Sequence, residues 1–234
     1  MFQYLARKVL STLGWSTSID LRIKYLINKY DRIIIVYPHT SQWDFVFAIL
    51  YSLIYHQIIR DAEHEVVILM KPQPFKYFGF ILRYLGCIPA AKLESSGSGT
   101  LNMIKQHLSS KKKFIFLISP KGQRSKGQWH SSYFYLAREL KSIIIPAGLD
   151  YCDLCIKSGA QLYPEYLDNI GRITSEIKYS LRDIIPLHPE RSEIPLVSYS
   201  KQPSIMSTIC RHVLEEVMYQ ITVCIVALVI WFIW

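Results

Sequence analysis

The chain has 234 residues, with 27 Lys and Arg against 18 Asp and Glu, and a net charge of +9. Half of the residues are hydrophobic, so the length supports one large domain, or one domain with appendages, around a sizeable core. Five cysteines, odd in number and irregular in spacing, argue against a disulfide framework, and the basic balance suits an anionic partner: nucleic acid, anionic lipid or a phosphorylated substrate.

Met1 to Gly14 lacks the continuous apolar run of a signal peptide, so reduced thiols in a cytosol-facing protein are expected. Residues 2–13 place Phe2, Leu5, Val9, Leu10 and Leu13 at helical spacing, with Arg7 and Lys8 between them. That pattern fits an interfacial helix with snorkelling cations and equally a core-facing helix. Ser18 to Asn28 reads as a second helix, Arg32 to Tyr37 as a strand, and Trp43 to Ile59 as a helix. Glu65 to Met70 is a buried strand, residues 75–85 a very apolar helix capped by Gly86, and Cys87 to Pro89 a short strand. Ser95 to Gly99 is a loop and Thr100 to Ser109 a helix, and Lys111 to Lys113 precede the strand Phe114 to Ser119. A helix over 129–141 and a strand from Ile143 to Leu149 follow.

Strands and helices thus alternate through residue 150, which predicts an α/β fold: a mixed, largely parallel sheet flanked by helices. An N-terminal helical pair precedes it and a C-terminal hydrophobic helix follows it. Ile170, Ile173, Ile177, Leu181 and Ile184 form a helical stripe that closes the domain, and Pro186 to Pro203 reads as a linker. The expected divisions are a membrane-associating helical segment at 1–29, the α/β domain at 30–190, a linker at 191–216 and an anchor helix at 217–234. Val217 to Trp234 is an 18-residue run without charge. At ~1.5 Å per residue it just reaches across a ~30 Å hydrocarbon core, with Trp231 and Trp234 at one interface. A hydrophobic helix packed on the domain is the alternative.

The stretch between the first strand and its helix carries the chemistry. His39 lies in the turn and Asp44 in the first helical turn, where open α/β sheets place reacting groups. An imidazole takes a proton from a hydroxyl at neutral pH, and a carboxylate one turn away can orient it and steady the imidazolium. The substrate's own hydroxyl is then the attacking group. Ser41 and Asp44 also have capping-box spacing, so the carboxylate has a purely structural reading as well. Cys152-x-x-Cys155 lacks a second pair and a nearby histidine, so core or strand cysteines are expected rather than a metal site.

Four stretches in order resemble the glycerolipid acyltransferases, the lysophosphatidic acid acyltransferase-like family, over roughly residues 30–155. His39-Thr40-Ser41-Gln42-Trp43-Asp44 matches the family's His-x4-Asp motif, and Phe78 to Pro89 is similar to its second block. Ile118-Ser119-Pro120-Lys121-Gly122-Gln123-Arg124-Ser125 stands where the family has Pro-Glu-Gly-Thr-Arg-Ser, and Ile144 to Tyr151 resembles the last block.

The resemblance implies a membrane-associated O-acyltransferase. It would move a fatty acyl group from acyl-CoA or acyl carrier protein, as co-substrate without a further cofactor, to a lysophospholipid or glycerol-phosphate-like hydroxyl. His39 would be the general base and Asp44 its partner. Arg124 would hold the acceptor phosphate, Gly122 would let the backbone approach the substrate, and Pro146 would shape the donor side. Lys71 and Lys92 would add phosphate contacts, with a solvated surface role as the alternative. Lys121 replaces the family's glutamate and either binds an anionic substrate or marks a catalytically altered, lipid-binding relative. The partners implied are membrane lipid and the acyl donor, with the catalytic domain on the cytosolic face. No nucleic-acid signature accompanies the lysine runs.

Overall fold

The structure is a computed structural model that describes residues 2–18, 20–90, 98–124, 127–164 and 169–196. Six strands form one sheet: β1 (Arg32–Val36), β2 (Glu65–Met70), β3 (Cys87–Pro89), β4 (Phe114–Ile118), β5 (Ile143–Asp150) and β6 (Cys155–Ser158). Their order is β3-β2-β4-β1-β5-β6, parallel throughout except that β6 runs antiparallel to β5. The mixed, mostly parallel sheet with flanking helices is the architecture expected from the alternation. β6 was not expected; its partly buried Cys-Ile-Lys-Ser run is too short to carry a strand signal of its own.

The period-2 alternation of β1 sorts its side chains onto two faces. Ile33 joins one hydrophobic cluster, with α1 (Phe2–Thr12), α2 (Leu21–Lys29) and α3 (Trp43–Asp61). Ile34 and Val36 join the other, with α5 (Ser98–Ser109), α6 (Ser132–Glu139) and α7 (Ile170–Ser180). Strands buried on both faces read as near-continuous apolar runs, which is why Arg32-Ile-Ile-Ile-Val36 and Phe114-Ile-Phe-Leu-Ile118 look as they do. A third, smaller cluster fixes α4 (Phe75–Tyr84) at the β3 edge through Leu82, Ile68 and Cys87.

The N-terminal helix packs on the protein. Ala6 and Leu10 are fully buried against α3, and Trp15 behind them stacks on Phe47 with centroids 4.0 Å apart. Burying a side chain the size of Leu10 contributes about 1.5–3 kcal/mol, enough to hold the helix there. Its other side exposes Tyr4, Leu5 and Lys8. Residues 186–194 also pack: Leu187 and Ile194 are buried, and a short 3-10 turn, Pro189–Arg191, lies between them. Among the described residues no helix is long and apolar enough to cross a membrane; the run 217–234 lies outside them.

Parallel strands all end at the same edge of the sheet. The loops after β1, β2 and β4 therefore gather at the carboxyl edge, which is where His39, Lys71, Lys121 and Arg124 lie.

Two left-handed glycines separate backbone strain from steric need. Gly86 turns from α4 into β3 at φ +78°, and a Cβ there would stand 2.1 Å from the Val66 carbonyl oxygen. Gly122 has φ +62° with open space around it. Gly86→Ala is expected to cost about 2–5 kcal/mol, strain and overpacking together, and Gly122→Ala only about 1–2 kcal/mol of strain. Urea unfolding of the two variants checks the difference.

Candidate active site

Asp44 is the centre of the site. Its carboxylate is 6% exposed and accepts three hydrogen bonds. Oδ2 takes the backbone N–H of Thr40 at 2.7 Å and of Ser41 at 2.9 Å, and Oδ1 takes the hydroxyl of Tyr151 at 2.7 Å. Ser41 Oγ in turn accepts from Trp43 N at 3.1 Å. The start of α3 thus shows half of the capping box that the spacing allowed: Asp44 accepts from the Ser41 N–H, while the Ser41 hydroxyl receives the N–H of Trp43 and not that of Asp44. The same bonds wrap residues 40–44 into a tight loop that carries His39 at its start.

His39 is partly buried, its ring 6.2 Å from that of Tyr37. Burial lowers its pKa from the ordinary histidine value; the Asp44 carboxylate opposes this, while Lys121, Arg124 and Lys71 reinforce it. The imidazole is consequently neutral at pH 7, the form that accepts a proton. The interaction between His39 and Asp44 is electrostatic, with the carboxylate's hydrogen bonds directed to Thr40, Ser41 and Tyr151.

The positions singled out in the sequence fall into three groups. His39, Asp44, Lys71, Lys121 and Arg124 come together around the β1–α3 loop, close enough for the charges to act on the imidazole. Lys71 and Arg124 are exposed and face solvent, and Gly122 sits exposed between Lys121 and Arg124. Pro146 is buried inside β5, in register with Val36, and its neighbours Ile145 and Ala147 face the cavity described below. Lys92 lies outside the described residues.

Lys121 is turned inward. It is 3% exposed, and its Nζ donates to the Arg191 carbonyl at 2.8 Å. Burial lowers its pKa, and the carboxylates of Glu193 and Asp44 counter that shift. Arg191 then reaches back: its guanidinium donates to the Thr40 carbonyl at 3.1 Å, and the His188 N–H donates to Thr40 Oγ1 at 3.3 Å. A strap of residues 186–194 therefore links the β4 loop to the His39 loop. Tyr151, His188 and Arg191 received no role from the sequence. Tyr151 belongs to the last resembling block, whereas the strap carried no motif and its prolines suggested a linker.

An apolar cavity of about 110 Å³ runs between the sheet and α2–α3. Ile23, Ile33, Tyr51, Ile145 and Leu149 are among its walls, with Tyr37, Pro38 and Asp44 at the His39 loop; Asp44 is its single charged lining residue. The lining is almost wholly apolar, and its one charged residue belongs to the loop that begins at His39.

The family model described as Acyltransferase matches residues 18–150, more than half of the chain, and includes every strand that delivers a loop to the site. No curated protein matches the chain. With the His-x4-Asp loop on the carboxyl edge of the expected sheet and that model spanning it, the chain belongs to the acyltransferase family, the glycerolipid acyltransferases.

Proposed function

We propose that this protein, at a membrane, moves a fatty acyl group from acyl-CoA or acyl carrier protein to the hydroxyl of a lysophospholipid or glycerol-phosphate-like acceptor. The observation that carries this reading is the apolar cavity with Asp44 in its lining, with cations gathered around the His39 loop. Neutral His39 takes the proton from the acceptor hydroxyl as its oxygen attacks the thioester carbon. The carbon–sulfur bond then breaks, and the imidazolium returns the proton to the leaving thiolate. Asp44 stabilises the imidazolium between these steps; its own charge is held in place by Tyr151 and two backbone N–H groups.

Exposed Arg124 and Lys71 suit the acceptor phosphate, Arg124 through a planar fork. Lys121 works differently in this account. Its ammonium is committed to the Arg191 carbonyl, so it holds the strap rather than a substrate. The family's glutamate would place a carboxylate beside those of Asp44 and Glu193, which this chain avoids.

His39→Ala is expected to lower kcat for acyl transfer from labelled acyl-CoA to lysophosphatidic acid by about 10²–10⁴-fold. Undiminished turnover, or lipid binding without turnover in the native protein, counts against the mechanism. In the pH profile of kcat/KM, the acid limb lies below the ordinary histidine value. Arg124→Met removes a repelling cation and moves that limb upward; Asp44→Asn removes the one attractive charge and moves it downward. Lys121→Glu, which restores the family residue, is expected to lose about 1–3 kcal/mol of stability in urea unfolding, because the Arg191 carbonyl loses its donor.

A further inference from the structure

A surface helix of a water-soluble protein turns polar residues outward. α4 does not. Its inner side, with Leu82 buried and Phe75 partly buried, packs into the small cluster at the β3 edge. Its outer side carries Tyr77, Phe80 and Tyr84 at 75%, 66% and 66% exposure. Their i, i+3, i+7 spacing puts the three rings on one stripe. Lys76 and Arg83, both exposed, flank that stripe, and Lys76 Nζ lies 5.7 Å from the Tyr77 ring centroid.

The charge along this helix has one sign. Residues 66–93, which include α4, hold Lys71, Lys76, Arg83 and Lys92 and no Asp or Glu. The helix also adjoins the site: Phe45, next to Asp44, packs against the same cluster, and Lys71 ends β2 just before α4 begins.

Aromatic rings with cations beside them and no acids are the composition that settles at a headgroup boundary: the rings lie among the glycerol and upper acyl groups, and the cations reach lipid phosphates. We propose that the outer face of α4 docks on an anionic lipid surface and presents the neighbouring His39 loop to it. That the lipid supplies the acceptor rests on the acyl-transfer reading above; the docking surface itself rests on α4. An acidic carrier protein would match the cations but leaves three large exposed rings without a role. Residues 197–234 of the same chain are the other apolar occupant to test.

The test uses the purified full chain with Tyr77→p-benzoylphenylalanine, irradiated with phosphatidylglycerol vesicles or with phosphatidylcholine vesicles. A second sample carries the probe at Tyr179, which is 58% exposed on α7. The expected result is a lipid adduct at position 77 on phosphatidylglycerol, several-fold above that on phosphatidylcholine and above that at position 179. Adding Lys76→Glu and Arg83→Glu to the position-77 sample, with the fold checked by circular dichroism, should reduce the adduct several-fold. Adducts only to residues 197–234, preferential adducts to added acyl carrier protein, or equal lipid labelling at both positions would overturn the proposal. Turnover is not needed for this readout. Loss of the adduct with activity retained on a short-chain, water-soluble acceptor removes the docking surface alone; an adduct without any acyl transfer removes the enzymatic reading alone.

Discussion

A buried carboxylate has to be satisfied, and the way this chain satisfies Asp44 fixes the rest of the site. Water is excluded from it, so each oxygen needs a protein donor. Two donors are local, the N–H groups of Thr40 and Ser41, and they force the loop to fold back on the start of α3. The third, Tyr151, comes from beyond the end of β5 and is held edge-on against Trp15, with ring centroids 5.0 Å apart. Closing the start of the helix and the catalytic role proposed for Asp44 do not compete. The bonds that start the helix also place a negative charge beside the imidazole, while leaving His39 neutral.

The cationic side of the site obeys a related constraint. An inward-turned lysine is tolerated only where carbonyls and carboxylates receive it. Lys121 finds the Arg191 carbonyl, with Glu193 and Asp44 nearby. Through Arg191 the arrangement closes on Thr40, so the loop carrying His39 is held from the β4 side and from the strap as well as from within. The departure from the family's glutamate is in this sense compensated: the charge is reversed, and residues 188–193 supply the partners that the reversed charge needs.

Much of the fold was legible because buried parallel strands and amphipathic helices leave strong periods. β2 and β3 have the bounds that their sequences indicated, and the remaining strands through β5 differ by a residue or so at their ends. The His39–Asp44 pair was legible through its position at a strand–helix junction and through the ordered blocks after it. What stayed hidden depends on tertiary contact. Tyr151 gains its role from Trp15 and Asp44, which lie 136 and 107 positions away in the chain. The strap has no periodicity, and its proline-bearing composition matched a linker until Leu187 and Ile194 found their pockets. Lys121 illustrates the same limit: a residue type shows its charge, but only the fold shows whether that charge points at a substrate or at a backbone carbonyl.

The central claim is that one apolar slot and one imidazole act on the same acyl thioester. It is tested most directly by a structure of the full chain with a non-hydrolysable thioether analogue of acyl-CoA. The account predicts the alkyl chain in the cavity between Tyr51, Ile145 and Leu149, with the carbon that replaces the carbonyl beside His39. An alkyl chain bound elsewhere, with the cavity closed or the reacting carbon remote from His39, would contradict it.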